Sequence, residues 1–307
     1  MAQPEINLEP STFVISITPF DESGSLDEDG FRMHLRRLAA SGIGVYVGGC
    51  GSGEGYTVSR TEMERVLHIA AEELKGKVPV RAMGVEPRTA KQMIDFLKLS
   101  KSAGVDAAQI YSLDVGHGAA LQSGEITAYF TDVLEDSDAP VVLSTHQSVG
   151  YKIPVAMMTD LVDRYPHIVG VNVTHQDLGY VSSVVDAMID KVPVHVGGPM
   201  QGLTILALGG QGYLSSDGNI APHLCVSVID RFNAGDTIGM MDAFGRLIRL
   251  FGTLQECGGI RATKAALNRL GLPGGYLRRP RLAMEDARVD HVLKIIQDLE
   301  IADIEKW

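Results

Sequence analysis

The feature that most constrains this chain is an alternation. Short apolar, β-branched runs recur at Phe13–Ile17, Val45–Gly48, Val78–Met83, Ala107–Tyr111, Pro140–Thr145, Ile168–Val173, Val192–Val196 and Gly212–Ser215. Between them lie amphipathic helical patterns. A parallel strand buried on both faces reads as a continuous apolar run, because neither side chain row meets water. The sixth run shows this most plainly. In Ile168-Val169-Gly170-Val171-Asn172-Val173-Thr174-His175-Gln176-Asp177, only the slim Gly170 interrupts the apolar residues before polar groups arrive at the strand's end. Eight strands alternating with helices at a spacing of roughly 20–35 residues predict an α/β fold, a (β/α)8 TIM barrel. An open doubly wound sheet would bring a Gly-rich phosphate turn after its first strand, and none is present.

Helix signals agree with this reading. Ser59 and Glu62, three residues apart, form a capping box. Met63, Val66, Leu67, Ala70 and Leu74 then mark one helical face. Thr89 opens the next helix, and Ile126, Tyr129, Phe130 and Val133 line the one after the fourth strand. Beyond about Pro222 the alternation stops. Helical patterns follow one another at Leu224–Phe232, Thr237–Phe251, Arg261–Leu270 and Met284–Leu299, the last two parted by Leu272-Pro273-Gly274-Gly275. The expected organisation is a barrel over residues 1–222 and a C-terminal helical extension over 223–307, packed on the barrel.

The bulk numbers bound the function. The chain has 307 residues, which suits one barrel of about 250 residues with added helices. A net charge of −11 and the lack of any Lys/Arg run argue against a nucleic-acid partner. No apolar stretch is long enough to span a membrane, and residues 1–10 lack the pattern of a signal peptide. Cys50, Cys225 and Cys257 are scattered without a C-x-x-C pair. These features lead us to expect a soluble, cytoplasmic protein.

Several motifs then resemble the dihydrodipicolinate synthase/N-acetylneuraminate lyase family. Gly51-Ser52-Gly53-Glu54 resembles its small-residue, carboxylate-binding turn, and Ile168-Val169-Gly170-Val171 the strand that presents its catalytic lysine. Leu208-Gly209-Gly210-Gln211-Gly212 and Ser215-Ser216-Asp217-Gly218-Asn219-Ile220-Ala221-Pro222 resemble its seventh-helix and eighth-strand signature. Lys264-Ala265-Ala266-Leu267, Leu270-Gly271-Leu272-Pro273 and Arg279-Pro280 resemble its C-terminal motif. The similarity runs from about Phe13 to Leu282. It implies a barrel, a small carboxylate ligand, lyase chemistry and a homotetramer. Family members form a Schiff base on the strand-six lysine, with a strand-five tyrosine moving protons. Alignment of the apolar runs puts Asn172 at the lysine position and Ser144 at the tyrosine position. An amide nitrogen is not a nucleophile, so Asn172 forms no imine.

Strand alternation places Asn172 and Thr174 on one face, and Ser144 and His146 on the corresponding face of strand five. His175 follows at the same mouth, and His117 lies in a loop after strand four. Histidine is the side chain suited to proton transfer near neutrality. The catalytic candidates are therefore His146, His175, Asn172 and Ser144. Gly51, Ser52, Gly53, Thr174, Asp217 and Asp114 are the ligand-binding candidates. Lys152 is the one lysine near a strand end that could stand in as a nucleophile. Gly197-Gly198-Pro199 is expected to leave room for the ligand, and Glu54 to act as a structural or capping carboxylate. The leading expectation is an imine-independent lyase acting by general acid–base catalysis on a small oxo- or hydroxy-carboxylate, without a cofactor. Two readings stay open beside it. One is a non-catalytic carboxylate-binding or regulatory protein. The other is a metal-dependent lyase or hydrolase using the histidines with Asp114 or Asp217, although no short ligand spacing supports it.

Overall fold

The apolar runs become the strands of a closed parallel barrel. In the computed structural model, which describes residues 6–307, these are β1 (Ser11–Ile15), β2 (Gly44–Val47), β3 (Val80–Ala82), β4 (Ala107–Ile110), β5 (Val141–His146), β6 (Ile168–Thr174), β7 (Val194–Gly197) and β8 (Gly212–Ser215). They follow one another round the barrel in chain order. Residues 1–5, part of the N-terminal stretch read above for a targeting signal, lie outside the described residues. The connecting helices are α1 (Glu28–Ala40), α2 (Arg60–Leu74), α3 (Ala90–Ala103), α4 (Ser123–Glu135), α5 (Val155–Arg164), α6 (Leu178–Met188) and α7 (Gly202–Ala207). After β8 come α8 (Pro222–Asn233), α9 (Thr237–Glu256), α10 (Ile260–Arg269), α11 (Asp286–Asp298) and α12 (Ile301–Glu305). Among the described residues no helix is long and apolar enough to cross a membrane.

The expected barrel with C-terminal helices is the observed fold, and each expected run overlaps a strand. The third run shrinks most, from Val78–Met83 to Val80–Ala82. Pro79 has no N–H to give to a ladder, though its carbonyl accepts from Val45 N at 2.8 Å. The last helical pattern, Met284–Leu299, becomes α11; the chain turns at Glu300, whose φ of 53° is left-handed, and the short α12 that follows was not expected from sequence. Start signals worked as read. Both bonds of the Ser59/Glu62 capping box are made, and the Thr89 hydroxyl accepts from Gln92 N. Such caps stabilise by about 1 kcal/mol each.

The chain divides into two compact units. One comprises Arg81–Tyr213 with the segment before Ser11. In it β4 to β7 form a continuous parallel ladder, with α3 against α4 and α5 against α6. The other comprises Ser11–Val80 and Leu214–Trp307. There α8 packs on β1 and α9, and α11 packs on α9, α10 and α12.

A buried ion pair organises the second unit. Lys264 of α10 and Glu54 of the turn after β2 have side chains 2% and 0% exposed. The ammonium donates to Glu54 Oε1 at 2.5 Å and to the carbonyls of Thr18 and Tyr276, each at 2.8 Å. It also lies 4.6 Å from the centre of the Phe20 ring. Glu54 accepts a second bond from Arg278 N at 3.2 Å. Burial lowers the Lys264 pKa to about 8, with the Glu54 carboxylate acting against that shift. Loss of one partner strands the other charge in a dry interior. Lys264→Met should therefore lower the unfolding free energy by about 3–5 kcal/mol in urea denaturation. The double variant Lys264→Met/Glu54→Gln should recover part of that loss. A single-variant loss below about 1 kcal/mol would mean the pair counts no more than a surface one.

Candidate functional site

In the Arg81–Tyr213 unit a polar layer crosses the inner face of the strands. Ser144 pairs in register with Asn172, and Asn172 with His195. All three are buried, at 2–4% exposure. In-register residues of parallel strands share a face, so the three side chains stand in one row. Asn172 Nδ2 donates to Gln109 Oε1 of β4 at 2.7 Å, reaching past β5. Arg81 is in register with Ala107, which puts it on the same face as Gln109. Burial drives the His195 pKa down to about 3, and the Arg81 charge adds to the effect. His195 is thus a neutral imidazole at any ordinary pH. Gln109 and His195 were not singled out from sequence. The signal was available, because each interrupts an apolar run just as Asn172 does.

Thr174, opposite His146, continues the row toward the strand ends. A Cβ at position 197 would fall 1.9 Å from Thr174 Oγ1. Gly197 therefore makes room for Thr174, a different tenant from the ligand expected there.

His146 and His175 follow at the ends of β5 and β6, both half-buried. His146 Nδ1 accepts from Ser148 N at 3.1 Å, and His175 Nδ1 accepts from Asp177 N at 2.9 Å. A backbone N–H only donates, so each Nδ1 is unprotonated and each neutral ring carries its proton on Nε2. The pair can thus present N–H donors, and proton uptake must compete with a backbone amide. Ser148 Oγ also lies 2.6 Å from His146 Nδ1 and donates to Glu86 Oε1 at 3.4 Å. Burial lowers the His146 pKa, with Glu86 acting in the opposite sense. Glu86 is 60 residues away in sequence, and no local pattern points to it.

The other candidates sit in loops. His117 is exposed with a left-handed φ of 54°. Asp114 pairs with Arg88 at 3.0 Å and caps Gly116 N at 2.8 Å. The Lys152 ammonium is held by the Asp177 carboxylate. Among the described residues, no group of three or more His, Cys, Asp or Glu side chains is arranged to hold a metal ion.

The second unit carries the Gly51-Ser52-Gly53-Glu54 turn. Gly53 and Gly55 lie so close to the Gly48–Gly49 backbone that a Cβ would come within 2.8 Å and 2.3 Å of carbonyl oxygens. Larger residues would push the turn off β2. Ser52 is 9% exposed and lines a cleft of about 280 Å³ together with Gly51, Ser216 and Arg281. Asp217 is fully buried. Its carboxylate accepts from Ser215 Oγ at 2.8 Å and Ser216 Oγ at 3.3 Å. Desolvation raises its pKa to about 7, against those hydrogen bonds. Of the three, Ser216 lines the cleft.

Comparison with known proteins gives a consistent picture. The sequence model of the dihydrodipicolinate synthetase family matches residues 10–299. The chain is 32% identical to a 4-hydroxy-tetrahydrodipicolinate synthase from Methanospirillum hungatei, over 87% of this chain and 91% of that protein. It is 29% identical to the enzyme of the same name from Methanopyrus kandleri, over 89% and 90%. A crystal structure of a dihydrodipicolinate synthase from Bacillus anthracis superposes with a TM-score of 0.87 at 22% identity, over 95% of this chain and 99% of that one. At that identity the likeness is one of fold.

The histidine geometry is open to direct measurement. Long-range ¹H–¹⁵N correlation spectra should show His146 as the Nε2–H tautomer, titrating below its ordinary value of about 6.5. An Nδ1–H tautomer, or a midpoint above 6.5, would contradict the hydrogen-bond assignment.

Proposed function

The chain belongs to the dihydrodipicolinate synthetase family, and from that membership we propose a lyase that makes or breaks a C–C or C–O bond in a small oxo- or hydroxy-carboxylate without a lysine imine. The observation that carries this reading is the environment of Asn172. The resemblance sets it where relatives hold the imine lysine, and it is buried, bonded to Gln109, and flanked in register by Ser144 and His195. The lysines of its unit point to the same conclusion. Lys91, Lys98, Lys101, Lys152 and Lys191 are each paired with an aspartate at the surface. Lys264, in the other unit, is locked by three acceptors.

Without an imine as electron sink, charge developing on a substrate oxygen must be met by hydrogen-bond donors in a site poor in water. Asn172, Ser144 and Thr174 are the donors available on β5 and β6. His146 and His175 supply Nε2–H groups and move the proton as bonds form or break. In the other unit, the Gly51-Ser52-Gly53 turn, whose glycines expose backbone amides, is the carboxylate-binding candidate that the resemblance gives. Asp114 and Asp217 act indirectly in this scheme, Asp114 through its loop and Asp217 through Ser216.

Two experiments test the proposal. Incubation with pyruvate followed by borohydride reduction should leave the protein mass unchanged. A covalent adduct on any lysine, Lys152 and Lys264 included, would refute imine independence. Once turnover is found in a screen of 2-oxo and 2-hydroxy acids, His146→Gln and His175→Gln should each lower kcat by about 10²–10⁴, the usual worth of a positioned acid or base. Normal turnover in both variants would reject the proton carriers named here.

A further inference from the structure

A single hydroxyl connects the imidazole at the end of β5 to a carboxylate that follows β3. We propose that Glu86 and Ser148 form a hydrogen-bonded relay that holds the charged form of His146, which makes them positioning residues for its proton transfers. The inference rests on the acid–base reading of His146 above and adds the groups through which that ring takes up a proton.

Ser148 Oγ is 2.6 Å from His146 Nδ1 and 3.4 Å from Glu86 Oε1. It carries one proton, so it serves one of these acceptors at a time. With the ring neutral, Nδ1 is an acceptor and the short contact is an O–H···N bond. A proton taken up from solvent at Nδ1 reverses that bond. Nδ1–H then donates to Oγ, and the hydroxyl proton turns to Glu86, giving the chain Nδ1–H···Oγ–H···Oε1 with a carboxylate at its end. The imidazolium releases its Nε2 proton to a substrate oxygen, and the ring left behind is neutral with Nδ1–H still on Ser148. One proton has entered at Nδ1 and one has left at Nε2, while Glu86 exchanges none.

The parts are held at this spacing by their own bonds. Ser148 is exposed, which opens the relay to water, and lies in the helical turn Gln147–Val149. Gln147 Oε1 fixes that turn by accepting from Gln176 N at 3.1 Å. Beside Glu86, Pro87 O accepts from Asp114 N at 2.9 Å and Arg88 N donates to Gln92 Oε1 at 2.7 Å. Among the described residues no Lys, Arg or His nitrogen lies within ion-pair distance of Glu86, whose hydrogen-bond partner is Ser148. The other ionisable groups of the surrounding loops are compensated or bonded elsewhere. On the β4 side stand exposed His117, the Arg88–Asp114 pair, and Tyr151, whose hydroxyl donates to Leu113 O. On the β6 side stand the Lys152–Asp177 pair and His175, whose Nδ1 accepts from Asp177 N. Burial lowers the His146 pKa, and the Glu86 charge is what opposes it.

The test is an NMR titration of the His146 ring nitrogens in the full-length protein without added substrate. Glu86→Gln should lower the His146 midpoint by at least about half a pH unit, because the imidazolium loses its counter-charge. Ser148→Thr keeps the hydroxyl, and Ser148→Val has nearly the same shape as that variant without it. In the Thr background the Glu86→Gln shift should persist, and in the Val background it should fall below about half its wild-type size, since coupled groups do not add. A shift of equal size in both backgrounds would mean that Glu86 acts through space alone and would overturn the relay. So would a Glu86→Gln variant with an unmoved midpoint. Matching backbone amide spectra would show that the variants fold. Failure of the acid–base reading shows itself separately, as normal turnover in His146→Gln, and the midpoints decide the relay in either case.

Discussion

Lys264 and Glu54 hold together the parts from which a ligand site can be made. The ammonium takes its three acceptors from the turn after β2, the chain after β1 and the segment leading to Arg278. The carboxylate in turn fixes Arg278 N, and the Arg278 guanidinium stacks 4.0 Å from the Phe20 ring. A buried charge pair is a weak source of net stability, because both ions surrender their hydration. Its strength lies in discrimination. Any rearrangement that moved the turn by an ångström or two would strand a charge, so the Gly51–Glu54 backbone has one low-energy position. Glu54 accepts a left-handed φ of 50° to meet that demand.

The inner row of the other unit follows related logic at lower cost. Ser144, Asn172, His195 and Gln109 are polar groups buried among mostly apolar side chains. Buried polar groups survive only when hydrogen-bonded, and the Asn172–Gln109 bond is one such satisfaction. The row is a cluster of polar groups that hydrogen bonding accommodates in the interior. The same holds for Asp217, an uncompensated carboxyl whose pKa is raised to about 7 by burial and which two serines hold in place.

Much of the fold was legible in the chain. Eight apolar runs, the Ser59–Glu62 box, the Thr89 cap and the end of alternation near Pro222 needed only local rules of period and capping. Within the candidate site the strand residues were legible for the same reason. Asn172 and Ser144 fall where polar groups break an apolar run, and Gln109 and His195 show the identical signature. Glu86 and Ser148 were not legible. They acquire their meaning from each other across 62 residues, and no spacing within a helix or strand encodes that.

The sequence by itself determined the alternation, hence the barrel, and which side chains share a strand face, because periods of 2 and 3.6 residues are local properties of the backbone. It also marked Asn172 as a polar interruption of the sixth apolar run. Tertiary structure decided what those groups do. It tied Lys264 to Glu54, turned the Nδ1 of His146 and His175 onto backbone amides, and filled the space over Gly197 with Thr174. Each of these depends on distances between segments remote in the chain, and such distances are set by packing the whole barrel.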